Sequence, residues 1–155
     1  MSANPPFEGD FRLVLTVHSE LSAYLGAVRD FLETRETENG LLLGNLAEAP
    51  FMAHVEVDRT PVFSAFYRDI NLILAGQSPP GALEAVAAGI QERGIKLPGV
   101  VGPAGEAERF AELWSKMRGC PALLAMRQRI YELREVIWPP LVPGGWRLAG
   151  SQDAE

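Results

Sequence analysis

The segment FMAHVEV at residues 51–57 is followed closely by VFSAFY at 62–67 and INLILA at 70–75. The first segment alternates, with apolar residues on one face and Met52, His54 and Glu56 on the other. The second is rich in aromatic residues, which favour strands, and the third is an apolar run suited to a strand buried on both faces. Asp58 to Pro61 has the composition of a tight turn. These residues predict three consecutive strands in a meander.

The residues before the meander predict a strand and two helices. Residues 1–10 contain Pro5, Pro6 and Gly9 and are expected to be a flexible leader. Apolar residues alternate from Phe11 to Val17, as in a strand. Ser19 is a candidate helix cap, and the helical spacing of apolar residues continues to Leu32. A second helix is predicted after Asn39-Gly40 and should end at Pro50.

The residues after the meander predict helix, strand and helix. Pro80 suits the first turn of a helix that stops at Gly94. A short strand is expected at 98–102, and a further helix should end at Gly119. The segment 123–137 is compatible with either a helix or an edge strand. One domain is therefore expected over 11–138, followed over 139–155 by a linker and the start of a second domain or a tail.

Composition excludes several classes of protein. The 155 residues carry a formal charge of −6, and the basic residues are scattered, so no nucleic-acid partner is expected. No apolar run is long enough to cross a bilayer, and no signal peptide is recognisable, which predicts a cytoplasmic protein without a membrane partner. One cysteine and two histidines make a metal site improbable.

Several segments in the same order resemble the N-terminal half of bacterial tandem GNAT-family N-acetyltransferases. The resemblance extends over most of the chain, from about Phe11 to Ala149, and the segments that carry it are ENGLLLGNL (38–46), NLIL (71–74), LPGVVGP (97–103), RFAELW (109–114), RQRIYEL (127–133) and VPGGWRLA (142–149). The resemblance implies an α/β (α+β) three-layer fold, in which a central mixed, largely antiparallel sheet has helices on both faces. It also implies acetyl-CoA as the cofactor of the family, and a catalytic GNAT half or a homodimer as the partner of this chain.

The chain differs from the family pattern at two places that the resemblance makes important, the cofactor loop and the general-acid position. The cofactor loop of the family, Gln or Arg followed at fixed spacing by two small residues, corresponds here to residues 76–82. Pro79 and Pro80 lie in it and have no N–H to donate to a pyrophosphate. The general-acid tyrosine of the family is replaced by Trp114, which is interpreted as a core aromatic residue.

These differences predict that this half binds no acetyl-CoA and supports or shapes a catalytic half. A divergent stand-alone acetyl-CoA-dependent N-acetyltransferase remains an alternative, as does a module that binds a small ligand or forms a dimer. No residue is assigned to catalysis or to cofactor binding. His54 and Glu56 share a strand face and could form an acid–base pair. Cys120 is expected to be a buried, unreactive thiol, and the glycines Gly99, Gly102 and Gly105 are expected to form a strand-to-helix turn.

Overall fold

A computed structural model describes residues 12–138, 140 and 143–153. Nine regular helices and strands lie within these ranges, followed by a short 3-10 helix at Ser151–Asp153. In chain order they are β1 (Leu13–His18), α1 (Leu21–Glu33), α2 (Glu36–Leu43), β2 (Phe51–Val57), β3 (Thr60–Arg68), β4 (Asn71–Gly76), α3 (Ala82–Glu92), β5 (Gly99–Val101) and α4 (Ala104–Arg118).

The five strands form one mixed sheet in the order β1-β2-β3-β4-β5. The first four are antiparallel neighbours, which confirms the predicted meander, and β5 runs parallel to β4. The parallel pair is short: Asn71, Leu72 and Ile73 lie opposite Gly99, Val100 and Val101. Such a pair requires a crossover connection, which α3 provides. The expected α+β class, with a mixed and largely antiparallel sheet, is confirmed.

Helices cover both faces of the sheet, because alternate residues of the strands are apolar on each side. On one face the core contains Phe51, Phe63 and Leu74, packed against Val86 and Ile90 of α3, with Phe110 of α4 in the same cluster. On the other face Met52 and Phe66 lie in one cluster with residues of α1 and α2, among them Tyr24, Val28, Leu32 and Leu42. This arrangement gives the three layers that were predicted.

Gly76 ends β4 in a conformation that only glycine adopts easily. Its φ is +86°, and a Cβ atom there would lie 2.5 Å from the Val62 carbonyl oxygen and 2.6 Å from Cζ of Phe31. Both the backbone angle and the lack of space exclude a larger residue. Gly76 therefore determines the direction in which the chain leaves the sheet toward α3.

The boundaries of the first two helices differ from the sequence prediction. Glu20, not Ser19, is the N-cap of α1, and its side chain makes no capping hydrogen bond. The second helix begins before Asn39 and ends at Leu43, well short of Pro50. Asn39 is buried and donates a hydrogen bond of 2.9 Å from Nδ2 to the Leu32 carbonyl oxygen. This bond satisfies a terminal carbonyl of α1, which holds Asn39 inside the second helix.

Residues 120–138, here called the C-terminal arm, form neither the helix nor the strand that the sequence allows for 123–137. The arm has no regular secondary structure and is exposed along its whole length. Trp146–Ala149, in the segment expected to be a linker and the start of a second domain or a tail, likewise form no strand. Within the described ranges no strand lies beside either segment, so nothing supplies the hydrogen bonds a strand needs. The predicted leader, 1–10, lies outside the described residues.

Candidate functional site

The loop between β4 and α3 is where the family resemblance would place a cofactor, and a backbone hydrogen bond closes its turn. The Pro79 carbonyl oxygen accepts a hydrogen bond from the Ala82 N–H at 3.0 Å. Gly81 has a φ of +85° and is the N-cap of α3, so the helix begins after Pro80 rather than at it. Gln77, the residue closest to the family pattern, is exposed.

A network of three side chains connects this loop to α4. The Ser78 hydroxyl donates to Oε2 of Glu106, and Nη2 of Arg109 donates to Ser78 Oγ at 3.1 Å and to Glu106 Oε1 at 2.5 Å. Ser78 and Glu106 are buried, whereas the Arg109 side chain is 57% exposed. A buried carboxylate requires such partners, because an unpaired charge away from water is costly. The guanidinium group of Arg109 is therefore already neutralised by Glu106.

The cleft in front of this network is small and contains a second acidic residue. Its volume is about 130 Å³, and Pro79, Pro80, Glu84 and Arg109 are among the residues that line it. Pockets that enclose a cofactor or drug-sized ligand have volumes of about 300 to 1,000 Å³. The two prolines offer no N–H, the charge of Arg109 is balanced by Glu106, and the carboxylate of Glu84 repels an anion. These residues do not fit the diphosphate of acetyl-CoA.

Trp114 lies on α4 as an aromatic residue of the core, as the sequence predicts. It is half-buried and packs against the cluster that contains Phe110. The two rings are stacked, with centroids 6.0 Å apart, and the guanidinium of Arg118 lies 5.8 Å from the Trp114 ring centre. These contacts give Trp114 a packing role, and an indole N–H has no acidity that catalysis could use near neutral pH.

A second polar group lies on the opposite face of the sheet, beneath α1. Nε2 of His54 lies 2.9 Å from Oε1 of Glu56, and Nδ1 of His54 lies 2.8 Å from Nε2 of His18. His54 is only 2% exposed. The sequence predicts the pair of His54 with Glu56, whereas it does not predict the contact with His18. The strand register supplies that contact, because Thr16 lies opposite His54 and His18 is the next residue of β1 on the same face.

The hydrogen bonds define the tautomers of the two histidines. A carboxylate only accepts, so Nε2 of His54 carries the proton and donates to Glu56. When both histidines are neutral, Nδ1 of His54 accepts and Nε2 of His18 donates. Nδ1 of His18, at the end of this row of hydrogen bonds, then carries a lone pair. Glu56, His54 and His18 thus form a directed relay that could hold or pass a proton.

Tyr24 and Ser64 lie on the buried side of the group formed by Glu56, His54 and His18. The Tyr24 hydroxyl lies 2.6 Å from Ser64 Oγ, and Ser64 donates to the Ala53 carbonyl oxygen at 3.3 Å. Because Ser64 has one proton, the Tyr24 hydroxyl must be the donor in their shared bond. Burial raises the pKa of Tyr24, an effect that the Ser64 hydrogen bond opposes in part. The tyrosine therefore remains a protonated donor throughout the physiological range.

The environment of His18 disfavours its charged form. Burial lowers the pKa of His18 from its ordinary value of 6.5. The neighbouring His54 lowers it further, while the carboxylate of Glu56 raises it. The Tyr24 ring meets the His18 ring edge-on, with centroids 5.7 Å apart, and contributes to this shielding. His18 is consequently neutral near pH 7, in agreement with the tautomers above.

Glu56 also borders a larger cleft at the end of the sheet. The cleft has a volume of about 380 Å³ and is lined by Arg12, Val14, Glu56, Asp58 and Arg59. Two arginines and two carboxylates give its wall no net charge. Asp58 and Arg59 both have positive φ values, as expected for the tight β2–β3 turn predicted at this position.

Two further predictions have different outcomes. Cys120 is exposed rather than buried, which corrects the prediction of a buried thiol. Gly119 adopts a left-handed conformation that ends α4, and the chain then leaves the surface of the core. Of the three glycines predicted to form a strand-to-helix turn, Gly102 lies in the turn between β5 and α4, whereas Gly99 is the first residue of β5 and Gly105 the second residue of α4. A Cβ atom at Gly102 would lie 2.8 Å from the Leu74 carbonyl oxygen, so β4 and β5 are still close together at that point.

Metal ligation and membrane insertion find no support among the residues that the structure describes. In 12–138, 140 and 143–153, no three His, Cys, Asp or Glu side chains converge as a metal site requires. The helices in the same ranges are too short or too polar to span a bilayer. Comparison with protein-family models, with curated proteins and with solved structures gives no match for this chain.

Proposed function

We propose that this chain is a GNAT-like half-domain that does not bind acetyl-CoA and that supports or shapes a catalytic acetyltransferase half. The observation that carries the proposal is the Ser78–Glu106–Arg109 network behind the β4–α3 loop. A cofactor loop must present unpaired N–H groups and positive charge to a diphosphate. Here the nearest cation is paired with a buried carboxylate, and two prolines interrupt the run of N–H groups.

The topology supports the family part of the proposal. The order of helices and strands agrees with the one that the resemblance implies from β1 through two helices and a meander to α3, β5 and α4, whereas the final strand that it implies at 123–137 is absent. The parallel pairing of β4 with β5 comprises only three residue pairs, after which α4 begins. The Trp114 side chain packs into the core at the position where the family pattern has a tyrosine acid.

Isothermal titration of acetyl-CoA into the chain tests the proposal directly. We expect no binding at micromolar concentration, with an active GNAT enzyme as the positive control. The variants Glu106→Ala and Glu108→Ala are a matched pair for deciding whether any binding involves the loop. Both residues lie on α4, but only Glu106 belongs to the network that contacts the loop. Micromolar binding to the unaltered chain, lost on mutation of the loop, would contradict the proposal.

The relay of Glu56, His54 and His18 favours a second candidate, a divergent stand-alone acetyltransferase. An acetyl acceptor amine must lose a proton, and Nδ1 of His18 is a base at the open end of the row. Transfer of labelled acetyl groups to a panel of amines separates the two candidates. The first predicts no transfer. The second predicts transfer that His54→Gln abolishes and that Glu108→Ala, on α4 at the opposite face of the sheet, leaves unchanged.

A further inference from the structure

The C-terminal arm exposes an unusual amount of apolar surface. Nine large apolar side chains within residues 120–138 are more than half exposed, namely Leu123, Leu124, Met126, Ile130, Tyr131, Leu133, Val136, Ile137 and Trp138. Water-soluble monomers rarely expose contiguous apolar patches of more than a few hundred Å², and larger ones indicate an interaction surface. Five of these nine side chains also follow a regular spacing along the sequence.

The apolar residues of the arm include a regular stripe. Leu123, Met126, Ile130, Leu133 and Ile137 follow one another at intervals of three and four, which places them on one face of a helix. Pro121 precedes the stripe and Pro139 follows it, as start and stop signals. An isolated helix of this length is marginal in water, because a packed apolar face supplies most of its stability. The stripe thus requires a surface that its own domain does not provide.

The chain exposes more surface than a compact monomer of its mass. A compact monomer of 16.9 kDa exposes about 7,700 Å². This chain exposes 11429 Å², which is about 3,700 Å² more. The nine exposed apolar side chains of the arm account for part of this difference, and apolar surface of this kind is what obligate interfaces bury.

The charge of the arm identifies the kind of surface it fits. Three arginines, Arg127, Arg129 and Arg134, outnumber two glutamates in residues 120–138, whereas the rest of the chain carries −7. The arm is therefore a basic, apolar segment attached to an acidic domain. One such attraction is already present within the chain, where Arg127 Nη2 lies 3.7 Å from Glu108 Oε1 of α4. The acidic domain of a second copy carries the same negative charge. The arm can reach that domain without being limited by its covalent link to its own domain.

We propose that the C-terminal arm docks on a second copy of this chain, so that two copies exchange arms. Gly119 ends α4 and directs the arm away from its own core, as a hinge in an exchanged dimer does. In the dimer the stripe of Leu123, Met126, Ile130, Leu133 and Ile137 faces the partner. Opposite charges on arm and domain orient the contact. This inference is independent of the proposed function, and the cofactor titration leaves it unaffected.

Light scattering during size-exclusion chromatography tests the dimer. The unaltered chain should have a mass of about 34 kDa, twice that of one copy. The variant Ile130→Asp/Leu133→Asp should reduce it to 16.9 kDa, because both changes place a charge in the stripe. The matched control Ala125→Asp/Gln128→Asp adds the same charge outside the stripe and should remain dimeric. Neither pair contacts the core of its own chain, so both variants should unfold cooperatively, with the dimeric control at the higher temperature.

Energy transfer between copies supplies a second measurement that needs no substitution. Cys120 is the only cysteine and is exposed at the base of the arm, so donor and acceptor dyes can be attached there in separate pools. Mixing the pools should produce energy transfer that unlabelled chain competes away. A monomer at every concentration would overturn the inference, and so would a dimer that the stripe variant leaves intact. A dimer lost equally in the control, or an arm that folds only on a different protein, would also overturn it.

Discussion

Replacing Glu106 by alanine tests whether the β4–α3 loop is held closed by the network described above. The carboxylate accepts one hydrogen bond from Ser78 and one from Arg109, and its side chain is 9% exposed. Hydrogen bonds to a charged group are worth about 1.5 to 3 kcal/mol each when buried. The Arg109 side chain is 57% exposed, so its share falls to about 1 kcal/mol or less. The free energy of unfolding should therefore decrease by about 2 to 3 kcal/mol.

The matched variant for this experiment is Glu108→Ala on the same helix. Glu108 is exposed, and its one ion pair, with Arg127, has a separation of 3.7 Å. Removal of such a pair should change the free energy of unfolding by less than about 0.5 kcal/mol. Urea denaturation followed by circular dichroism measures both variants. If Glu106→Ala were no more destabilising than Glu108→Ala, the β4–α3 loop would not depend on the buried carboxylate. The network of Ser78, Glu106 and Arg109 would then no longer support the proposal that the loop does not bind acetyl-CoA.

Two predictions concern the polar group beneath α1. Tyr24→Phe removes the hydroxyl that donates to Ser64 and should reduce stability by about 1 kcal/mol. Ser64→Ala should reduce stability by a similar amount. In a chain that already carries Ser64→Ala, Tyr24→Phe should be nearly neutral. Additive losses in the double variant would show that the two hydroxyls do not interact. The second prediction concerns pH. Because the pKa of His18 is lowered in the folded chain, the unfolded chain binds its proton first. Stability should be complete above pH 6.5 and decline as the pH falls below it. His18→Gln should remove that part of the decline, which denaturation at pH 7 and pH 5 would detect. An unchanged slope in this variant would refute the assignment.

Local periodicity in the sequence was sufficient to predict most of the secondary structure. Alternation in residues 51–57 and the turn residues after Val57 predict β2 and its hairpin, because strand period and turn chemistry are local properties. Gly119 ends α4 as its sequence suggests. Boundaries that depend on a contact with another helix were not predicted. The second helix starts early because Asn39 reaches a carbonyl of α1, and nothing in the local pattern indicates that bond.

The candidate sites depend on tertiary structure to a greater extent. The sequence pairs His54 with Glu56 because they lie two residues apart on one strand, whereas His18 joins them from 36 residues away through the register of β1. Ser78, Glu106 and Arg109 likewise come together only when α4 packs beside α3. The sequence determined where the apolar stripe of residues 123–137 lies, but it could not determine its conformation. That conformation depends on a surface to pack against, and the stability of a short helix comes from such packing rather than from its own residues.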